Sequence, residues 1–154
     1  MPDYLQKVPP ENAHGVMATS GWHADIIKFK GARAQILNDQ YKREYSNGVN
    51  MDEFSANGWM NASLMIDVLE RAGSLDKGKI RQTFMETNIS PDHEVLSLHA
   101  FEGIRFDQEI DGMKNQNPYG NNVIIQAVGD NMVMVGPTTF AGEDKFLWPV
   151  QNWQ

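Results

Sequence analysis

Three groups of residues in this chain have the side-chain types for chemistry, and spacing decides each case. His93-Glu94 followed by His99 has the composition of a zinc-protease helix, in which two histidines one turn apart share a metal and the glutamate acts as base. Here the second histidine comes six residues after the first, and Pro91 lies just upstream. Two rings so placed do not face one ion from one helix face, and they read as surface histidines. Asp107, Glu109 and Asp111 alternate like the start of a calcium loop, with Gly112 in the sixth place. The twelfth place, which should carry a bidentate glutamate, is Pro118, so 107–122 reads as a polar loop. Ser20, His23 and Asp25 supply the residue types of a nucleophilic triad, but a triad is made by spatial geometry, and no G-x-S-x-G elbow is present. Phosphate-cradling G-x-x-x-x-G-K-[ST] and G-x-G-x-x-G motifs are absent as well. No catalytic residue, metal or cofactor is therefore expected, and an enzyme would need a convergent set of ionisable groups that the sequence does not display.

Non-covalent recognition is the remaining chemistry. Trp22 follows a short apolar run and a Ser20-Gly21 break, where a large aromatic can stand at the edge of a cleft. Aromatic walls with a few polar groups are the usual lining of small-solute pockets. Plain packing is the competing reading of Trp22, and core filling is the preferred reading of Met65, Met85, Met132 and Met134.

The elements that must position these residues follow from periodicity and punctuation. Residues 1–14 read as loop, with Pro9-Pro10 opposing regular structure and room for one short helical turn. Gly15 to Thr19 reads as a strand. Ala34, Leu37, Tyr41 and Tyr45 recur at helical steps and predict an amphipathic helix over 32–46, stopped by Asn47-Gly48. Asp52 is the expected N-cap of a helix over 53–72, with Trp59, Ala62, Ile66 and Leu69 as its inward stripe, Met65 and Val68 widening it, and Gly73 as its left-handed stop. Gly58 inside that helix costs about 1 kcal/mol relative to Ala and is expected to permit a close approach. Asp76 caps a short helix over 77–88 with Ile80 and Phe84 inward. Val95 to Ala100 reads as a strand or an irregular connection. The β-prone runs 123–128 and 132–135 around Gly129-Asp130-Asn131 predict a hairpin, closed by Gly136-Pro137. Helices in the middle and strands at the flanks indicate an α/β fold.

Bulk properties narrow the partners. A chain of 154 residues with 41% hydrophobic and 21% charged residues is an ordinary globular balance. A net charge of -7 disfavours a nucleic-acid partner, and the basic residues are scattered rather than blocked. Cysteine is absent, which removes disulfides, thiolate metal sites and cysteine nucleophiles. No run of about 18 apolar residues is long enough to span a bilayer. The opening MPDYLQKVPPENAHG has neither a basic n-region nor an apolar h-region and is not a signal peptide.

Three stretches in order carry a family resemblance: Val68-Leu-Glu-Arg-Ala-Gly-Ser74 with Ile80-Arg81, then Phe101-x-Gly-x-x-Phe106-Asp107 with Gly112, then Ile125-Gln126 leading to Val133, Val135, Pro137, Pro149 and Trp153. From about Gly15 to Trp153 the chain resembles the C-terminal half of a branched-chain amino-acid-type substrate-binding protein of an ABC importer. That resemblance implies a partial type I periplasmic-binding-protein fold within one segment, with helices from lobe one, strands and a hairpin from lobe two, and inter-lobe crossings at 15–21 and 101–107. It implies binding of a small polar solute, such as an amino acid or amide, and delivery to an ABC permease. The location would be periplasmic or extracellular and membrane-associated, with a signal peptide upstream. A ligand-sensing regulatory module of the same fold, or a structural fragment without independent binding, are the alternatives. Because the family grips ligand mainly through its earlier half, only peripheral cleft positions are expected here: Trp22, His23, Phe54, Asn57 and Trp59. Apolar surface left where that half would pack is expected to drive homodimers or larger species.

Overall fold

Capping carboxylates and left-handed residues set the limits of the helices much as their sequence positions suggest. The computed structural model describes residues 7–141 and 146–148. Pro9-Pro10 begins a helical turn rather than preventing one: α1 spans Pro10–Ala13, where a proline at the first position forfeits only an amide that has no intrahelical partner. A five-residue helix that the sequence pattern did not reveal, α2 (Ile26–Lys30), leads through Gly31 into α3 (Ala32–Glu44). Asn47 and Gly48 both adopt positive φ beyond α3, as a helical stop requires. α4 (Glu53–Ala72) starts at Asp52, whose side chain accepts from the Ser55 amide, and stops at Gly73, whose φ is 56°. α5 (Lys77–Met85) is capped by Asp76 and ends three residues before the expected 88. The Val95 to Ala100 stretch is not a strand: Glu94–Leu96 forms a 3-10 turn in which His93 Nδ1 accepts from the Val95 amide. Thr138–Ala141 forms α6, the last helix among the described residues.

Among the described residues the strands form three separate antiparallel sheets, so the chain is mixed α/β with small sheets. β1 (Met17–Ser20) pairs with β6 (Val123–Val128), which pairs with β7 (Asn131–Gly136). The hairpin of β6 and β7 turns at Gly129, with φ of 57°, where the sequence places it. β2 (Asn88–Ile89) pairs with β3 (Ile104–Arg105). The third sheet corrects the expectation of a loop over 107–122: β4 (Gln108–Ile110) and β5 (Met113–Gln116) make a second hairpin. Its turn is Asp111-Gly112, both at positive φ, the combination that matches the twist of two antiparallel strands. The apparent calcium loop is thus a hairpin turn. On β6, buried Gln126 holds the chain end: its Oε1 accepts from the Leu147 amide, and its Nε2 donates to the carbonyls of Gly15 and Leu147. Pro149 and Trp153, which contribute to the family resemblance, lie outside the described residues.

Two hydrophobic clusters share one helix. The first joins Trp22, Ile26, Ile27, Ala34, Met51 and Ala56 to Leu98, Val123, Ile125 and Met134. The second joins Leu64 and Val68 of α4 to Ile89, Val95, Leu96 and Ile104, with Ile80, Phe84, Phe101 and Phe106 against it. Met134 fills the core as expected, whereas Met65 is exposed. Tyr45 is also exposed, although helical spacing placed it with Ala34, Leu37 and Tyr41. Buried Asn38 fixes the loop after α3 by donating to Asn50 and accepting from the Met51 amide.

α4 is apolar on two faces, and the fold uses only one. Ala56, Leu64 and Val68 are buried, while Ile66, assigned inward by periodicity, is 57% exposed. Ala62 is exposed beside it, and Trp59 and Leu69 are only half-buried. A Cβ built on Gly58 meets nothing within 4 Å, so the close approach expected of this glycine is not made among the described residues. The inward register is therefore rotated from the expected stripe, because Leu64 and Val68 pack on the second cluster. Leu64→Ala is expected to cost about 2–5 kcal/mol in urea unfolding, and Ile66→Ala at low protein concentration to stay within about 0.5 kcal/mol. Equal losses would return Ile66 to the inward face.

Candidate functional site

The first turn of α4 and the end of β1 meet through one carboxylate. Glu53 follows the N-cap, where a negative charge is favoured by the helix dipole. Its Oε1 accepts from the Gly21 amide at 2.9 Å, and its Oε2 lies 2.9 Å from the Ser20 hydroxyl. That hydroxyl is also 2.7 Å from the Trp22 carbonyl, so its one proton has two acceptors, and its oxygen accepts from the Trp22 amide. An added Cβ on Gly21 would sit 2.9 Å from Glu53 Oε1 and 3.7 Å from Asn57 Nδ2, so a side chain there would displace the carboxylate end. Asp52, just before Glu53, has its pKa lowered by hydrogen bonds from Ser55, so it is anionic at neutral pH.

One turn further along α4, Asn57 reaches a buried histidine. Asn57 Oδ1 lies 2.9 Å from His99 Nε2, and the His99 ring packs edge-on against Phe101 at 5.4 Å. His99 is fully buried, which corrects its reading as a surface residue. Burial, and then the Lys30 charge, lower its pKa from 6.5 to about 4, so the ring is neutral at pH 7. With Asn57 Oδ1 as acceptor, the proton is assigned to Nε2 and Nδ1 carries a lone pair. His99 Nδ1, Trp22 Nε1 and Trp59 Nε1 are buried without a hydrogen-bond partner among the described residues. Lys30 itself has its pKa lowered by burial, while its ammonium donates to the Pro91 carbonyl.

The five sequence-derived positions separate into different surroundings. Phe54 projects from the start of α4 and is 86% exposed. Asn57 is half-buried under it and bonded to His99. Trp22 is 4% exposed and belongs to the larger core cluster, so its ring packs inside instead of standing at an edge. Trp59 is half-buried against the same cluster. His23 turns toward the sheet, with Nε2 3.2 Å from the Met132 carbonyl and Nδ1 accepting from the Asp25 amide. The structure thus brings Asn57 together with Ser20, Gly21, Glu53 and His99, with Phe54 on the adjoining surface. Glu53 carried a signal in its place directly after an N-cap. Ser20-Gly21 registered only as a strand break, and His99 was hidden although Val95, Leu96, Leu98 and Ala100 around it mark a core segment.

Chemically, this arrangement is a rigid polar lip beside an exposed aromatic ring. Glu53 is an acceptor whose two oxygens are already directed at Ser20 and Gly21. Ser20 is oriented by a carboxylate and by backbone, and His23 is directed to Met132 and Asp25, a division of partners unlike a nucleophile–base pair. Among the described residues no group of three or more His, Cys, Asp or Glu is placed to hold a metal ion. No protein-family model matches the chain, and no curated protein matches it.

His99 gives the site a pH signature. Its folded pKa lies below its unfolded value of 6.5, so the unfolded chain binds the extra proton. Its contribution is fully present above pH 6.5 and is lost as pH falls toward 4, by about 3 kcal/mol in all. Between pH 7.5 and 5, above the main carboxylate range, unfolding free energy is expected to fall in the parent chain and to stay flatter in His99→Gln. A His99→Gln profile parallel to the parent's would remove His99 as the source.

Proposed function

We propose that the chain forms one wall of the ligand cleft of an extracytoplasmic solute-binding protein that serves an ABC importer, on a type I periplasmic-binding-protein plan. The observation that carries this reading is the lip itself. A strand end and a helix start are locked through Glu53, and this rigid base presents Phe54 to solvent at 86% exposure. An exposed aromatic on a preorganised polar edge suits a small polar solute with an apolar side, such as an amino acid or an amide. In this reading a second wall faces it, and closing the two walls traps the solute without covalent chemistry.

The unused face of α4 supports the same reading. Phe54, Gly58, Ala62, Met65, Ile66 and Leu69 recur at helical spacing along a flank of α4 that is exposed apart from half-buried Leu69. An apolar stripe of this size left open to solvent marks a surface that a partner normally covers. Further receptor polypeptide packed on this face would satisfy that demand, after which the closed form docks on the permease.

Two measurements test the proposal. A thermal-shift screen against leucine, isoleucine, acetamide, urea and benzoate is expected to raise the melting temperature with one class, and Phe54→Ala is expected to abolish that rise while leaving the unliganded melting temperature near the parent value. A cooperatively melting chain that responds to none of them, or a response that survives Phe54→Ala, would argue against a cleft wall here. In isolation the bare α4 face is expected to drive self-association, seen by light scattering at tens of micromolar, and Ile66→Lys is expected to shift the chain toward monomer. A parent chain that is monomeric throughout would show that this face needs no cover.

A further inference from the structure

A buried side-chain amide on β6 grips one short segment by its backbone. Gln126 accepts at Oε1 from the Leu147 amide and donates from Nε2 to the Leu147 and Gly15 carbonyls. Both backbone groups of Leu147 are taken up, as a neighbouring strand would take them. The residues on either side of that anchor, Phe146 and Trp148, are nonetheless 42% and 73% exposed. A fully buried polar group thus holds in place a segment whose two large aromatic rings face solvent, which is how a binding surface is preorganised at low entropic cost.

The geometry of the two rings is the informative part. They are stacked, with planes within 7° of parallel and centroids 6.5 Å apart. Rings in face contact at about 3.5 Å would need a slip of about 5.5 Å to reach that centroid distance, which would remove their overlap. Neither ring therefore covers the face of the other. A flat group held between them needs two contact distances, about 7 Å, which is within about 0.5 Å of the spacing already present. Aromatic faces carry the negative part of the ring quadrupole, and indole attracts a cation best among the side chains. The net charge of -7 adds to that preference.

We propose that Phe146 and Trp148 form a second ligand site, a two-ring clamp for a small planar heteroaromatic cation of the pyridinium type. The ligand's ring stacks against both aromatic faces, and its positive charge meets their π clouds. Gln126 is a positioning residue, because it touches only the backbone between the rings. The site stands independently of the cleft reading, because it shares no residue with Ser20, Gly21, Glu53, Phe54 or Asn57.

An NMR titration of the 154-residue chain with 1-methylnicotinamide tests this, with protonated 1-methylpiperidine-3-carboxamide as the control that keeps the charge and the amide but loses the flat ring. Saturable shifts are expected at Phe146 and at the Trp148 indole N–H, with a Kd of about 1–10 mM. The saturated-ring control is expected to bind at least about fivefold more weakly, and Phe146→Ala to weaken 1-methylnicotinamide to a similar degree. Trp148→Ala is expected to abolish saturation, while Phe54→Ala leaves it unchanged. The Trp148 side chain is exposed, and amide spectra report directly that its variant is folded. No saturation below about 50 mM overturns the proposal. So does equal binding of the saturated ring, so does binding that survives Trp148→Ala, and so do shifts gathered at Glu53, Phe54 and Asn57, which would assign the ligand to the cleft.

Discussion

The double acceptance by Glu53 is the constraint on which the arrangement around it depends. One carboxylate receives the Gly21 amide and faces the Ser20 hydroxyl, and so fixes the direction in which the chain leaves β1 relative to the direction in which α4 begins. Hydrogen bonds to an ionised acceptor are the stronger kind, and this one also sits where the helix dipole favours negative charge. The absence of a side chain at position 21 is part of the same device, since a Cβ there would press on the carboxylate oxygen. Trp22 then enters the core, His23 turns to β7, and Asn57, one turn along α4, falls opposite His99. Each placement follows from the first.

The fold's punctuation was legible, whereas its register and its buried polar groups were less so. Asp52, Gly73 and Asp76 act through local backbone geometry, which depends on neighbours in sequence, and they stand where their residue types put them. The hairpin at Gly129 is legible for the same reason. Asp111-Gly112 was an equally local signal, masked because β4 and β5 are polar and exposed and show no apolar alternation. The rotation of α4 had no such signal. A helix with two apolar faces does not say which one its own chain will cover, and tertiary packing on Ile89, Val95 and Leu96 chose Leu64 and Val68 over Ala62 and Ile66.

The candidate site was partly legible for a related reason. Phe54 and Asn57 were reachable from their place at the start of a helix, but Glu53, Ser20 and His99 join them only through contacts spanning more than thirty residues. A histidine in an apolar run is ambiguous until its partner is known. Here the partner is an asparagine, and burial keeps the ring neutral, so His99 works as an uncharged strut under the lip. Polar groups held this way are costly to leave unmatched, which restricts the conformations open to the lip.

α4 contributes Ala56 and Trp59 to one hydrophobic cluster and Met60, Leu64 and Val68 to the other. A helix of 20 residues is a beam about 30 Å long, and this one is bolted at separate points to two bodies. Loosening of either body would therefore strain the other through the beam, and the two would melt as one unit as long as the beam stays whole. The two attachments adjoin at Trp59 and Met60, so intact helix at that step is what ties one cluster to the other.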